Sequence, residues 1–567
     1  MNTSKNVYMG APVEIGVGSR GEVANTKMIA HGIPLERALH KVTDRIYCQI
    51  GSSMGNATIV LGDKGMIVVD TADCIEQSQE QLADFRTVTD RPVSALIYTH
   101  SHYALGAGTY VPEGQNTQLP IYAHKDILTV LSRTAGDLTP FSTRRAAMQF
   151  GFFLPYDGPD AMPNQGLAKY FFELDRYTPT SAFVRPNHLL DDGEEAVIDG
   201  VKFQFWDAPA DTEDTLLIWM PEHKTVINNI VWPTMFNIYT LRGEMFRNPM
   251  RLIPTLERIL ALEPEHLVGV HGVPISGKET IAKLVTEYRD CIQFIYDQVC
   301  RGINHGLSPD ELVDFVQLPP ALANSRLNGQ YYGELPFYVR QIYAGMVGWY
   351  GTDSVDLHAL PRAQSQARWT ELAGGLDAVL AQTRAAMVKK EYAWAAELAT
   401  AALNTDGACA EAKQLKADAF RAMAQVTTAS NTRSWYLTQA RELEGLLDTW
   451  KMPMRFVNAT MVAQMPIATY VNALRLRLDP SLSANGPRRI GLQIGTNSFQ
   501  LLCRNGVVLV EANASAKTDA NVELSTQLWG ALVAGDINAE QALAQGAKLQ
   551  GDPSLGMAVL AAWRPIK

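Results

Sequence analysis

YTHSHYALGAG, residues 98–108, closes the apolar run VSALIYT with His100 and His102, two residues apart. On extended chain, residues at that spacing point to the same side, so both imidazoles face one point in space. Neutral imidazole is a common metal ligand, and a loop at the end of a buried strand is a usual place to present it. The next residues, Tyr103, Ala104 and Leu105, extend no second set of ligands.

Two further apolar runs border polar turns of the same kind. DAPADTEDTLLIWMPE (207–222) sets an acid-rich turn before a buried strand, and VGVHGVPISG (268–277) ends a strand in His271 and Gly272. Upstream, TIVLGDKGMIVV predicts a hairpin and QSQEQLADFRTVT a crossover helix, the start of a layered α/β domain. Residues 135–190 are rich in Pro and Gly and read as a lid or substrate loop. From 276 to 426 the pattern is helical, including two helices joined at NTDG. Beyond 430 a helix, a strand meander (RRIGLQIGTNSFQLLCRNGVVLVEA) and another helical stretch form a small α+β unit.

The 567 residues are enough for about three domains. Apolar residues make up 47% and charged residues 19%, as in ordinary globular proteins. A net charge of −10 argues against nucleic acid or an anionic membrane surface as partner. No run has transmembrane length and the N-terminus has no signal-like apolar stretch. The six cysteines lack zinc-finger spacing and read as thiols of a reducing compartment, so a cytoplasmic protein is expected.

The three ligand-bearing turns resemble those of the metallo-β-lactamase fold: H-x-H-x-D-H, then P-G-H-T, then G-H-G. The second alignment puts Asp211 at the third-histidine position, with Glu213 as a rival carboxylate, and the last makes His271 a candidate ligand. FNIYTLRGEMFRNP (236–249), MQFGFFLPYDGP (148–159), YYGELPFYV…GWYGTD (331–353) and SWYLTQARELEG (434–445) resemble landmarks of the alkylsulfatase-like branch. The resemblance implies an αββα sandwich over 1–275 and an all-α dimerisation domain over 276–426. It implies a sterol-carrier-protein-like α+β domain over 427–567, roofing the site. A homodimer and a small hydrophobic substrate follow from it.

The departures from that family cluster on the chemistry. Ala104 and Leu105 stand where it has the Asp and His of a second zinc site, and Asn228 or Asn229 replaces the bridging carboxylate. Gly345 occupies the place of the arginine expected to hold sulfate, and Phe337 and Tyr338 replace a His-Asn pair. His100, His102 and Asp211 remain as a complete set for one metal ion, Fe(II) or Zn(II), with His271 as fourth ligand or acid–base group. Tyr103, Leu105, Phe236, Phe337 and Tyr338 would make a dry, apolar pocket. Tyr239 and Arg242 survive from the family, Arg242 as a contact for an anionic head group or as a structural ion pair.

These losses argue against alkylsulfatase activity. They favour an Fe(II)/O₂-dependent oxidoreductase acting on a hydrophobic small molecule, with Tyr103 and His271 in catalytic roles. The alternatives are a zinc-dependent hydrolase of an ester other than a sulfate and a binder of hydrophobic ligands without turnover.

Overall fold

The computed structural model describes residues 6–111, 118–133, 138–170, 174, 177–452, 458–512 and 517–563. Two sheets stack face to face in the first half of the chain. The first runs in chain order through Ala38–Lys41, Ile46–Ile50, Ala57–Leu61, Met66–Val69, Val93–Ile97, Ile121–His124 and His188–Leu190. Its first four strands are antiparallel neighbours and the rest add in parallel. The expected hairpin is there, with Leu61 opposite Met66 across the polar turn.

The second sheet comprises Glu195–Ile198, Val201–Asp207, Leu216–Met220, Thr225–Asn228, His266–Gly269 and Ile275–Ser276. Val201, Phe203 and Phe205 are buried while Lys202 and Gln204 between them are half-buried, the period of two that turns one face inward. Those side chains meet Val60, Ile67, Val69, Ala95 and Ile97 of the first sheet in one core. Outside the first sheet, Phe85 of the helix Ile75–Phe85 covers Met66, Val68 and Leu96. Outside the second, Leu256 and Ile259 of Ile253–Leu262 and Ile281, Val285 and Ile292 of Lys278–Asn304 cover Leu217, Trp219, Val226 and Leu267. The layering is the expected αββα sandwich, and Leu216–Met220, covered on both faces, is buried at every position.

Strand direction decides where the site lies. Val93–Ile97 runs out toward His100, and Val201–Asp207 and Leu216–Met220 pair with Asp207 opposite Leu216, leaving Asp211 in the turn between them. Thr225–Asn228 and His266–Gly269 pair in parallel, so Asn229 and His271 leave the sheet at one edge.

The all-α portion begins with Lys278–Asn304 and ends in four successive helices, Leu376–Val388, Tyr392–Thr405, Ala410–Val426 and Ser430–Leu443. Buried alanines (Ala395, Ala399, Ala402, Ala412, Ala419) let their backbones pack closely. The C-terminal α+β unit carries a five-stranded sheet and shares a core with the outer face of the first sheet, through Met461, Tyr470 and Trp529. The described residues of 135–190 do not form an open lid: Met162, Leu167, Ala168 and Tyr170 are buried, and Asn164 Nδ2 donates to Met28 O at 2.7 Å. Among the described residues no helix is long and apolar enough to cross a membrane.

Candidate metal centre

His100, His102 and Asp211 each offer one ligand atom, all within 4.8 Å of one another, the only such group among the described residues. His102 Nδ1 lies 3.2 Å from Asp211 Oδ2, and His100 Nε2 lies 3.9 Å from Asp211 Oδ1. Both carboxylate oxygens therefore face imidazole nitrogens. Glu213, the rival carboxylate, points outward and pairs with Arg133 at 2.8 Å. His271 stands beside this group and is not a member of it. Its Nδ1 donates to Met54 O at 3.0 Å, which leaves Nε2 as an acceptor.

The histidine loop is clamped from three sides. Ser101 N donates to Asp214 Oδ2 at 2.8 Å, and Leu216 N donates to Thr99 O at 2.8 Å, tying the first sheet's loop to the second sheet. Thr71 donates from both N (2.7 Å) and Oγ1 (3.0 Å) to Tyr103 O. Thr99 Oγ1 gives its single proton to Asp70 Oδ2 at 2.7 Å, so at 2.9 Å it accepts from His100 Nδ1. That sets the tautomer: the lone pair of His100 sits on Nε2 and faces Asp211.

Electrostatics sharpen the same picture. Burial pushes His100 down to about 3, against the pull of Asp211, so it is neutral. Burial likewise lowers His271 to about 4. For Asp211 burial opposes ionisation, but His102, bonded to it through Nδ1, outweighs it and holds the carboxyl well below its usual range. Burial also disfavours the charged form of His102, and Asp211 overcomes it, raising His102 above its usual value. An ionised carboxylate facing two imidazoles, with the buried lone pair of His100 turned toward it, fits a divalent cation.

Tyr103 is buried, its ring edge-on to His100 (5.1 Å), His102 (6.1 Å) and His271 (5.6 Å). It packs so tightly on Gly55 that a Cβ there would lie 2.5 Å from the ring, so only glycine fits. Trp232 closes the other side, 5.2 Å from His271. Arg242 pairs with Glu244, which also pairs with Arg247, leaving one excess positive charge near the centre. Burial works against the Arg242 charge, yet Glu244, Tyr332 and Asp211 raise its pKa above the usual value. Gln149 Oε1 accepts from Arg242 N (2.8 Å) and Thr240 Oγ1 (2.9 Å), so the helix Thr139–Gln149 fixes that loop.

Of the expected substrate contacts, Phe236 and Tyr338 are completely buried in the hydrophobic core, Phe236 4.8 Å beyond Trp232. They support the walls and line no open surface. Tyr239 and Phe337 are partly buried against that core. Gly345, itself exposed, lies against Phe246: a Cβ there would come within 2.6 Å of the ring. His124 is structural, its Nε2 3.0 Å from Asp207 Oδ1. The sequence reading missed the clamps Asp70, Thr99 and Asp214, since Asp70 and Asp214 act on residues distant in the chain and Thr99 orients His100 only because Asp70 takes its proton; Asp214 alone had a local signal, as the third acid of PADTED.

Comparison with known proteins places the whole chain. The family model for alkyl sulfatase dimerisation matches residues 308–445. A linear primary-alkylsulfatase of Pseudomonas sp. is 32% identical over 502 residues, spanning 86% of this chain and 93% of that protein. An (R)-specific secondary-alkylsulfatase of Pseudomonas sp. is 26% identical over 541 residues, 91% of this chain and 79% of the relative. The solved structure of a stereoselective inverting sec-alkylsulfatase from Pseudomonas sp. superposes with a TM-score of 0.84 at 23% identity, covering 99% of this chain and 94% of that one. All three relatives are named as sulfatases, which are hydrolases, and this overturns the Fe(II)/O₂ oxidoreductase expected from the sequence. The error was physical: missing ligands limit how many cations a site holds, but two histidines and a carboxylate serve hydrolytic zinc as well as iron. The chain is a member of the alkylsulfatase family, on the metallo-β-lactamase fold.

Proposed function

We propose that this protein is a metal-dependent hydrolase of alkyl esters of the sulfate type, with one zinc ion held by His100, His102 and Asp211. The observation that carries this reading is the closed group of those three side chains, His100 buried and His102 and Asp211 half-buried, at the shared edge of the two sheets. The cation would supply Lewis acidity toward the ester and acidify a water molecule at neutral pH. His271, neutral and with Nε2 unprotonated, is the nearby proton acceptor. Tyr103 and Trp232 wall the site against bulk water.

Head-group recognition falls on Arg242. A side chain at Gly345, where the family's arginine is lost, would start against the Phe246 ring, whereas the Arg242–Glu244–Arg247 cluster keeps a net positive charge beside Asp211. The alkyl chain then belongs against the apolar walls formed around Tyr103 and Trp232. The dimerisation match supports a homodimer, and the six free cysteines support a cytoplasmic setting. The helix Ser430–Leu443 belongs with the helical domain, because the dimerisation match runs to 445 and buried Arg433 donates to Ala424 O of the preceding helix at 2.9 Å; the domain boundary falls near 445.

Assaying the zinc-loaded full chain with primary and secondary alkyl sulfates tests this. Arg242→Ala is expected to raise KM about 10- to 100-fold, the worth of a charge-assisted hydrogen bond of about 1.5–3 kcal/mol. An unchanged KM removes Arg242 from recognition.

A further inference from the structure

Two adjacent amides, Asn228 and Asn229, stand where the second sheet delivers chain to the metal centre, and they are used differently. Asn228 is consumed by the backbone: its Oδ1 accepts from Ile230 N (3.1 Å) and Val231 N (2.8 Å), and its Nδ2 donates to Val268 O (3.1 Å). Asn229 turns into the site. Its Nδ2 lies 2.6 Å from Asp211 Oδ1 and 3.4 Å from His100 Nε2. Its Oδ1 has no hydrogen-bond partner although the residue is only 1% exposed. A buried acceptor left unpaired is rare, and here it sits one torsion away from a group of metal ligands. The backbone beneath it is fixed, since Trp232 Nε1 donates to Asn229 O at 2.7 Å.

We propose that the amide oxygen of Asn229 is the fourth protein ligand of the cation, completing a His100–His102–Asp211–Asn229 set. This rests on the reading that the first three hold that cation. A half-turn of the amide exchanges Nδ2 for Oδ1 at the same place. Without a cation, two oxygens would face each other there and repel, so the amide nitrogen turns to Asp211; with one, both oxygens have a shared partner. The spacings suit this. Ligands about 2.0–2.1 Å from a tetrahedral ion are about 3.3 Å apart. Asp211 Oδ1 lies 2.6 Å from the Asn229 amide and 3.9 Å from His100 Nε2, which are 3.4 Å from each other, and the other carboxylate oxygen, Oδ2, lies 3.2 Å from His102 Nδ1. A neutral amide adds a ligand without adding charge, so nothing at Asn229 bridges to a second cation.

The test is metal binding, not turnover. Metal-free full-length protein and the variants Asn229→Ala, Asn229→Asp and His102→Ala are titrated with cobalt(II) against a competing chelator, recording visible absorption, with circular dichroism checking the fold. His102→Ala is expected to abolish stoichiometric binding; if it binds like the unaltered protein, the three-residue site is wrong and the proposal goes with it. With that control passed, Asn229→Ala is expected to weaken binding more than about tenfold, beyond the lower end of second-shell effects. Its cobalt band is expected to change as water replaces the amide. Asn229→Asp, which still offers an oxygen, is expected to bind at least as tightly as the unaltered protein. A role as hydrogen-bond donor to Asp211 predicts the opposite, because a carboxylate cannot donate and repels Asp211. Weakening in Asn229→Asp comparable to that in Asn229→Ala, or none in Asn229→Ala, overturns the proposal while leaving the three-residue site intact.

Discussion

At Gly345 the missing side chain is an active part of the packing. The ring of Phe246 occupies the space a Cβ would need, at 2.6 Å, so adding even a methyl group forces Phe246 aside. Gly345→Ala is expected to destabilise the protein by about 1–3 kcal/mol, the usual cost of overpacking, and Phe246→Ala is expected to relieve it in the double variant. Denaturant unfolding of the four proteins measures that coupling, and additive effects would refute the contact. The same scale shows what the sequence could reveal. His100 and His102 were legible because their spacing alone aims them together. Asp211 and Glu213 were not separable, since both lie in one turn; only the folded chain shows Arg133 drawing Glu213 outward. Likewise nothing local says that Asn228 serves the backbone and Asn229 the site.

Elements bring these residues together through their ends. The helix Pro309–Phe315 opens on a capping box in which Ser308 Oγ accepts from Glu311 N and the Glu311 carboxylate accepts from Ser308 N at 2.9 Å. Ser308→Ala is expected to cost about 1 kcal/mol of stability, read as a lower denaturant midpoint. The helix Thr26–Gly32 is held by His31, whose Nε2 donates to Gly166 O at 2.7 Å and whose ring stacks on Tyr331 at 3.9 Å. Burial lowers the pKa of His31 below its usual value, so below about pH 6.5 the unfolded chain takes up a proton that the folded chain refuses. Stability must then fall as pH drops through that range. His31→Gln keeps a donor without titrating, and the metal-free variant is expected to show a shallower decline of Tm between pH 7.5 and 5; equal slopes would contradict the assignment. Strand and helix order was readable from periodicity, as in the hairpin closing at Leu61 and Met66 and the helices Tyr392–Thr405 and Ala410–Val426. The placement of Ser430–Leu443 was not readable, because what holds it is Arg433 reaching carbonyls scattered across the sequence.

At the scale of the whole molecule, the segment matched as a dimerisation domain displays large apolar side chains. Trp349 is 72% and Trp369 67% exposed, with Val355, Leu357 and Leu372 also exposed. A second copy is the expected cover, and Trp369→Asp is expected to shift a dimer toward monomer in sedimentation velocity. The three units were visible in the sequence as changes of texture. The reaction was not, because departures at single positions report which groups a site has lost and not what it still does. The most direct test of the hydrolase reading is release of sulfate from a long-chain primary alkyl sulfate by the zinc-loaded chain, compared with His102→Ala and with chelated protein. Sulfate released by the loaded chain and by neither control is the predicted result; no release by the loaded chain, or equal release by the variant, would contradict it.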